Sequence, residues 1–161
     1  MRRLLLGIIA VVMAVTLSGC FGDPVKSDLE NYQKTVGVAM GKFEKDMKSL
    51  QIKMNSARTP EQVEAILPEL TNLMKQAQVE VAKFQPKSDE VKVINTKIQA
   101  GMTGAVAEFK AMEAAFKTKD QNKFMEAMQK GMQHATDVNN AENELAKLAK
   151  EKKVDWKLVT N

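Results

Sequence analysis

From residue 27 onward the chain repeats one pattern, an apolar side chain at every third or fourth position with lysine, glutamate, glutamine and aspartate between. Steps of three and four place successive apolar side chains on one face of an α-helix, whereas a half-buried strand would alternate. Four such stripes follow one another. The first is Leu29, Tyr32, Val36, Met40, Phe43, Met47, Leu50, Met54, with Ser27 as its cap and an end near Ser56. "RTPEQV" opens the second: Thr59 is the N-cap, Pro60 takes the first helical position, and Gln62 reaches back as in a capping box. Val63, Leu67, Leu70, Met74, Ala77, Val81 and Phe84 form its stripe. Pro68 lies inside it; without an amide hydrogen, and with its ring against the carbonyl one turn back, it predicts a kink or short break at residues 65 to 68. Pro86 stops this segment and Ser88 caps the third, whose stripe is Val91, Ile94, Ile98, Ala105, Phe109, Met112, Phe116. Asp120 caps the fourth, read as Phe124, Met128, Gly131, Ala135, Val138, Leu145, Leu148.

Each segment holds about 25 to 33 residues, or roughly 37 to 50 Å of helix. Matched lengths and short turns predict an all-α protein, an up-down-up-down four-helix bundle over residues 28–153 with a tail at 154–161. Composition agrees, since aromatic residues make up only 5% of the chain while Lys, Ala, Met, Glu and Gln abound.

The first 20 residues follow a different pattern. Arg2 and Arg3 precede an apolar run, "LLLGIIAVVMAV", which is followed by "TLSGC". A positive head, about a dozen apolar residues and a small-residue exit describe an export signal, because a spanning helix needs roughly 20 apolar residues. Leu17, Ser18, Gly19 and Cys20 resemble the lipobox of bacterial lipoproteins. That resemblance implies cleavage between Gly19 and Cys20, a diacylglycerol and an N-acyl lipid on Cys20, a signal peptide at 1–19 and a lipidated tether at 20–27. It further implies a cell-envelope address, with the periplasmic face of the outer membrane favoured in a diderm, since Phe21 and not an aspartate follows the cysteine. In an up-down-up-down bundle the last helix returns to the anchored end. Lys152, Lys153, Trp156 and Lys157 would then either rest on an anionic leaflet or leave the indole folded against the bundle base.

Removing the signal leaves about 140 residues, enough for one domain with a core. The net charge of +4 falls to about +2 without Arg2 and Arg3, which argues against a nucleic-acid partner. Catalytic chemistry has little material: one histidine, His134, and no cysteine besides Cys20. Loop placement loosely resembles the cytochrome b562 bundle. That family holds haem between a methionine near the start of the first helix and a histidine near the end of the last, whereas here Met40 and His134 are mid-helix. Di-metal carboxylate bundles need Glu-x-x-His, and Gly131 stands where the glutamate would be. Met125, Met128 and Met132 lie within about 60° of one another, and clustered thioethers suit Cu(I). Methionine at helical spacing reads as core filler instead, and no metal or other cofactor is expected.

Gly37, Gly41, Gly101, Gly104 and Gly131 fall near helix middles, where glycine costs roughly 1 kcal/mol against alanine. Either helices approach closely there, or with Met40, Met102, Met128 and Met132 the glycines shape a cavity for an apolar ligand. The reading that emerges is a non-enzymatic, membrane-anchored envelope lipoprotein contacting an envelope protein partner. A carrier of a small hydrophobic ligand is the alternative, and a prophage-type lipoprotein that excludes incoming phage is a third, by analogy alone.

Overall fold

The computed structural model describes residues 22–157. The signal segment, Gly19, Cys20 and the last four residues lie outside that span. The described residues are all-helical and form a bundle of four helical rods.

The first rod is composite: α1 (Pro24–Tyr32), a π-helical turn (Gln33–Gly37) and α2 (Val38–Ser56), continuous in backbone conformation. It begins earlier than Ser27. Asp23 is the cap, its Oδ1 accepting from the Val25 amide at 3.0 Å, and Pro24 occupies the first position, where its missing N–H has no partner to lose. Residues 24–27 are therefore helical. The second rod, α3 (Pro60–Lys83), starts on the expected capping box: the Gln62 amide donates to Thr59 Oγ1, and Gln62 Oε1 accepts from the Thr59 amide. The expected break at Pro68 is absent, and α3 runs through it. The proline removes one amide donor, and the carbonyl it releases belongs to Glu64, a solvent-exposed residue that water can serve.

The third rod is α4 (Asp89–Lys117) and the fourth α5 (Gln121–Glu151). Asp120 caps α5 through the Lys123 amide at 3.0 Å. Ser88 stands at the N-cap of α4, but its hydroxyl does not cap that helix; it donates to Asp28 Oδ2 at 2.7 Å. The same oxygen accepts the amides of Lys87 at 2.8 Å and Ser88 at 2.7 Å. The carboxylate of α1 thus satisfies donors at the entrance of α4 from across the bundle, which is why a charged group tolerates 5% exposure.

Burial is uneven along the rods. Val25, Leu29, Tyr32 and Val36 pack with Ala77, Val81 and Phe84 of the second rod and its exit. Val91, Ile94, Ile98 and Met102 of α4, Val138, Ala141, Leu145 and Ala149 of α5, and Val154 complete one continuous core. Further along, Met74, Ala105 and Val106 form a small second cluster, joined to the first by Phe43. Beyond that, Leu50, Ile66, Leu67, Met112, Ala115 and Ala127 are buried without joining either. Backbone proximity tells the same story: α1 approaches both α4 and α5, whereas α2 has neighbours in α3 and the π-turn but none in α4 or α5.

The inward face of α5 departs from the expected stripe in its first half. Ala127, Gly131 and His134 continue the line of Val138, Ala141, Leu145 and Ala149, while Met128 and Ala135 are exposed. The glycines of α4 let Val138 and His134 of α5 come close. A Cβ on Gly101 would stand 2.6 Å from Val138 Cγ2 and 3.2 Å from the His134 carbonyl oxygen, and one on Gly104 would collide with the His134 ring. No described helix is long and apolar enough to cross a membrane.

Candidate functional site

The residues expected to form a mid-bundle ligand layer are not gathered into one. Met102 is buried, and Gly101 and Gly104 are filled by Val138 and His134. Met40 is half-buried against the core, while Gly41 is exposed with nothing within 4 Å of where a Cβ would stand. A Cβ on Gly131 would meet Glu108 Cβ at 3.7 Å, ordinary contact. Gly37 closes the π-turn. Met128 and Met132 face outward, Met132 with 65% exposure.

The four residues considered for membrane contact are mostly engaged with the protein itself. Lys152 Nζ pairs with Asp23 Oδ2 at 2.8 Å, which raises the lysine above its ordinary pKa and lowers the aspartate below its own. Lys157 Nζ pairs with Asp155 at 2.8 Å. Trp156 stacks on Tyr32 with ring centroids 5.9 Å apart, and Phe84 meets Tyr32 edge to face at 5.2 Å. Of the three lysines, Lys153 alone makes no ion pair among the described residues; it takes a left-handed φ of 54° where α5 ends. Gln33, the first residue of the π-turn, holds this segment at both ends of its amide: Nε2 donates to the Asp155 carbonyl at 3.0 Å, and Oε1 accepts the Lys157 amide at 2.7 Å.

Beneath this clasp, burial drives the Tyr32 phenol well above its ordinary pKa, with the negative charge of Glu142 adding to the effect. Glu142 is itself raised by burial. Tyr32 Oη has no hydrogen-bond partner among the described residues. A neutral phenol beside a desolvated carboxyl seals the core at this end but presents no nucleophile to solvent.

The opposite end is more open. A groove of about 520 Å³ lies between the start of α3 and the α4–α5 turn. Pro60, Ala115, Phe116 and Phe124 supply apolar lining, and the two phenylalanines meet edge to face at 6.0 Å. Glu61 and Glu64 of α3, and Lys117 and Lys119 at the end of α4, add charge to the lining. Its volume lies within the range of small-molecule sites. Lys117 is tied to Glu113 at 2.8 Å and held above its ordinary pKa by it. Among the described residues no three His, Cys, Asp or Glu side chains converge as a metal site would require.

Sequence reasoning missed the Asp28 latch and this groove. Asp28 was legible in one respect: three residues after Val25 and four before Tyr32, it lies on the buried face, and a carboxylate there calls for donors. The groove joins residues 60 to 124 across two turns, and no local spacing announces it. No protein-family model, no curated protein and no solved structure matches the chain.

Proposed function

We propose that the chain is a non-enzymatic envelope lipoprotein: an up-down-up-down bundle tethered through an acylated Cys20, contacting another envelope component with the end farthest from the lipid. One observation carries the reading. The lipobox is followed almost at once by folded protein, since Asp23 caps α1 only three residues after Cys20. Three residues reach at most about 11 Å, so an acyl-anchored Cys20 would hold this end of the bundle against the headgroups. The Asp23–Lys152 pair and the core shared by the starts of the first and third rods with the ends of the second and fourth support the alternating topology. Under that topology the groove at Phe116 and Phe124, and Ile52 at 70% exposure on α2, face away from the bilayer and are open to a partner.

The test has two stages. Cells expressing the full chain and fed labelled palmitate should yield a labelled, membrane-bound product, and Cys20→Ser should lose both label and membrane association. Photo-crosslinkers at Ile52 and Glu64 should then capture a discrete envelope partner that a crosslinker at Lys92 does not. An unlabelled wild type would overturn the anchor; equal or empty capture at all three positions would overturn the interaction role.

A carrier role is the second reading, and the groove favours it over the glycine positions, because Gly101 and Gly104 are filled whereas the groove retains apolar volume. Bound small molecules detected by native mass spectrometry, and lost in Phe124→Glu, would support the carrier.

A further inference from the structure

Met125, Met128 and Met132 succeed one another at intervals of three and four residues along α5, on one side of the helix. Core filling is the ordinary reason for methionine at such spacing, and the structure removes that reason here. The three are 51%, 36% and 65% exposed, and the inward side of the same stretch is taken by Ala127, Gly131 and His134. Three soft side chains therefore lie on consecutive turns outside either core cluster, each with surface open to solvent.

We propose that this face is a thioether site for a soft monovalent metal ion, Cu(I). Side chains on adjacent helical turns have Cβ atoms about 5–6 Å apart. Methionine has three rotatable bonds, so Met128, the middle member, can share an ion with Met125 or with Met132, two thioethers at a time, whereas those two lie seven residues, about 10 Å, apart along the axis. The chemistry of the surroundings makes the set selective. Thioethers are neutral at every pH and need no deprotonation to bind, but they are poor donors for hard cations such as Mg²⁺ and Ca²⁺. Nearby oxygen donors are occupied: Glu126 pairs with Lys130 at 2.7 Å, and Asp137 accepts from Gln133 at 3.0 Å. His134 lies over Gly104 on the α4 side of the helix, so no imidazole joins the site. Three sulfurs line this face, with the neutral amide of Gln129 between Met125 and Met132.

Leucine keeps the apolar volume of methionine and removes the sulfur, which separates metal binding from any use of the face as a greasy docking surface. The full-length protein in detergent is titrated anaerobically with Cu(I) against a chromophoric Cu(I) chelator. Wild type should withdraw one ion per chain. Met128→Leu should weaken binding at least tenfold, the triple Met125→Leu, Met128→Leu, Met132→Leu variant should abolish it, and Met54→Leu on α2 should leave it unchanged. The three α5 positions are exposed on one helix face, and far-UV circular dichroism confirms that each variant retains its helicity. A wild type that withdraws no Cu(I), or a triple variant that withdraws as much as wild type, overturns the proposal.

Discussion

The two ends of the bundle are built from the same residue types at the same spacing, yet one is closed and the other open. Where α1 begins, all four rods share a core, with Leu29, Tyr32 and Leu145 fully buried and Ile98 nearly so. Past Met40 the backbone of the first rod neighbours α3 but not α4 or α5, and buried side chains become scattered. Each fully buried aliphatic side chain contributes roughly 1.5–3 kcal/mol, so most of the stabilisation is concentrated at the closed end. The difference teaches that a regular stripe guarantees a helix with an apolar face but does not fix how many neighbours that face meets.

Large-to-small substitutions probe the contrast most strongly. Leu29→Ala should cost about 4 kcal/mol and Met74→Ala about 2 kcal/mol in urea unfolding, and equal losses would break the comparison. Removing the latch comes next. Asp28→Ala strands two buried donors of Ser88 and the part-buried Lys87 amide at the entrance of α4 and should cost about 3 kcal/mol, with amide exchange accelerating at Lys87 and Ser88. Glycine substitutions should differ in sign. Gly101→Ala forces a methyl against Val138 and the His134 carbonyl and should destabilise by about 2 kcal/mol, whereas Gly41→Ala on the open α2 meets nothing and should stabilise by about 1 kcal/mol.

The smallest effect is pH-dependent. Burial raises the Glu142 carboxyl above the ordinary 4.5, so the folded protein keeps a proton that the unfolded chain releases. The stability this group contributes is full below 4.5 and is lost as pH rises through its higher folded value. Glu142→Gln should therefore stabilise near neutral pH and make little difference in acid, as followed by thermal melts at both.

Much of the architecture was legible. The first three stripes match the buried and half-buried positions throughout, and Thr59, Ser88 and Asp120 stand at helix entrances. Legibility failed where identity and environment part company. In the first half of α5 Met125, Met128 and Met132 point outward while Ala127, Gly131 and His134 turn inward, and the His134 ring fits there because Gly104 of α4 has no side chain in its way. Local spacing makes Ser88 a cap of its own helix, but the partner of its hydroxyl lies sixty positions earlier, a distance that no local rule spans. The π-turn likewise leaves no mark on the three-and-four spacing. Of the residues singled out for ligand or membrane, Met102 belongs to the core and Trp156 is stacked on Tyr32.

Asp23 and Lys152 are 2.8 Å apart, so both ends of the folded chain depart from a single corner. A load applied between those ends would meet its contacts in succession, peeling the outer rods away like a zipper. Resistance would be set by the first few contacts at that corner, the Gln33 clasp and the Trp156–Tyr32 stack among them, however deep the core behind them. A handle placed instead on the turns near Arg58 or Lys119 would leave that corner unloaded.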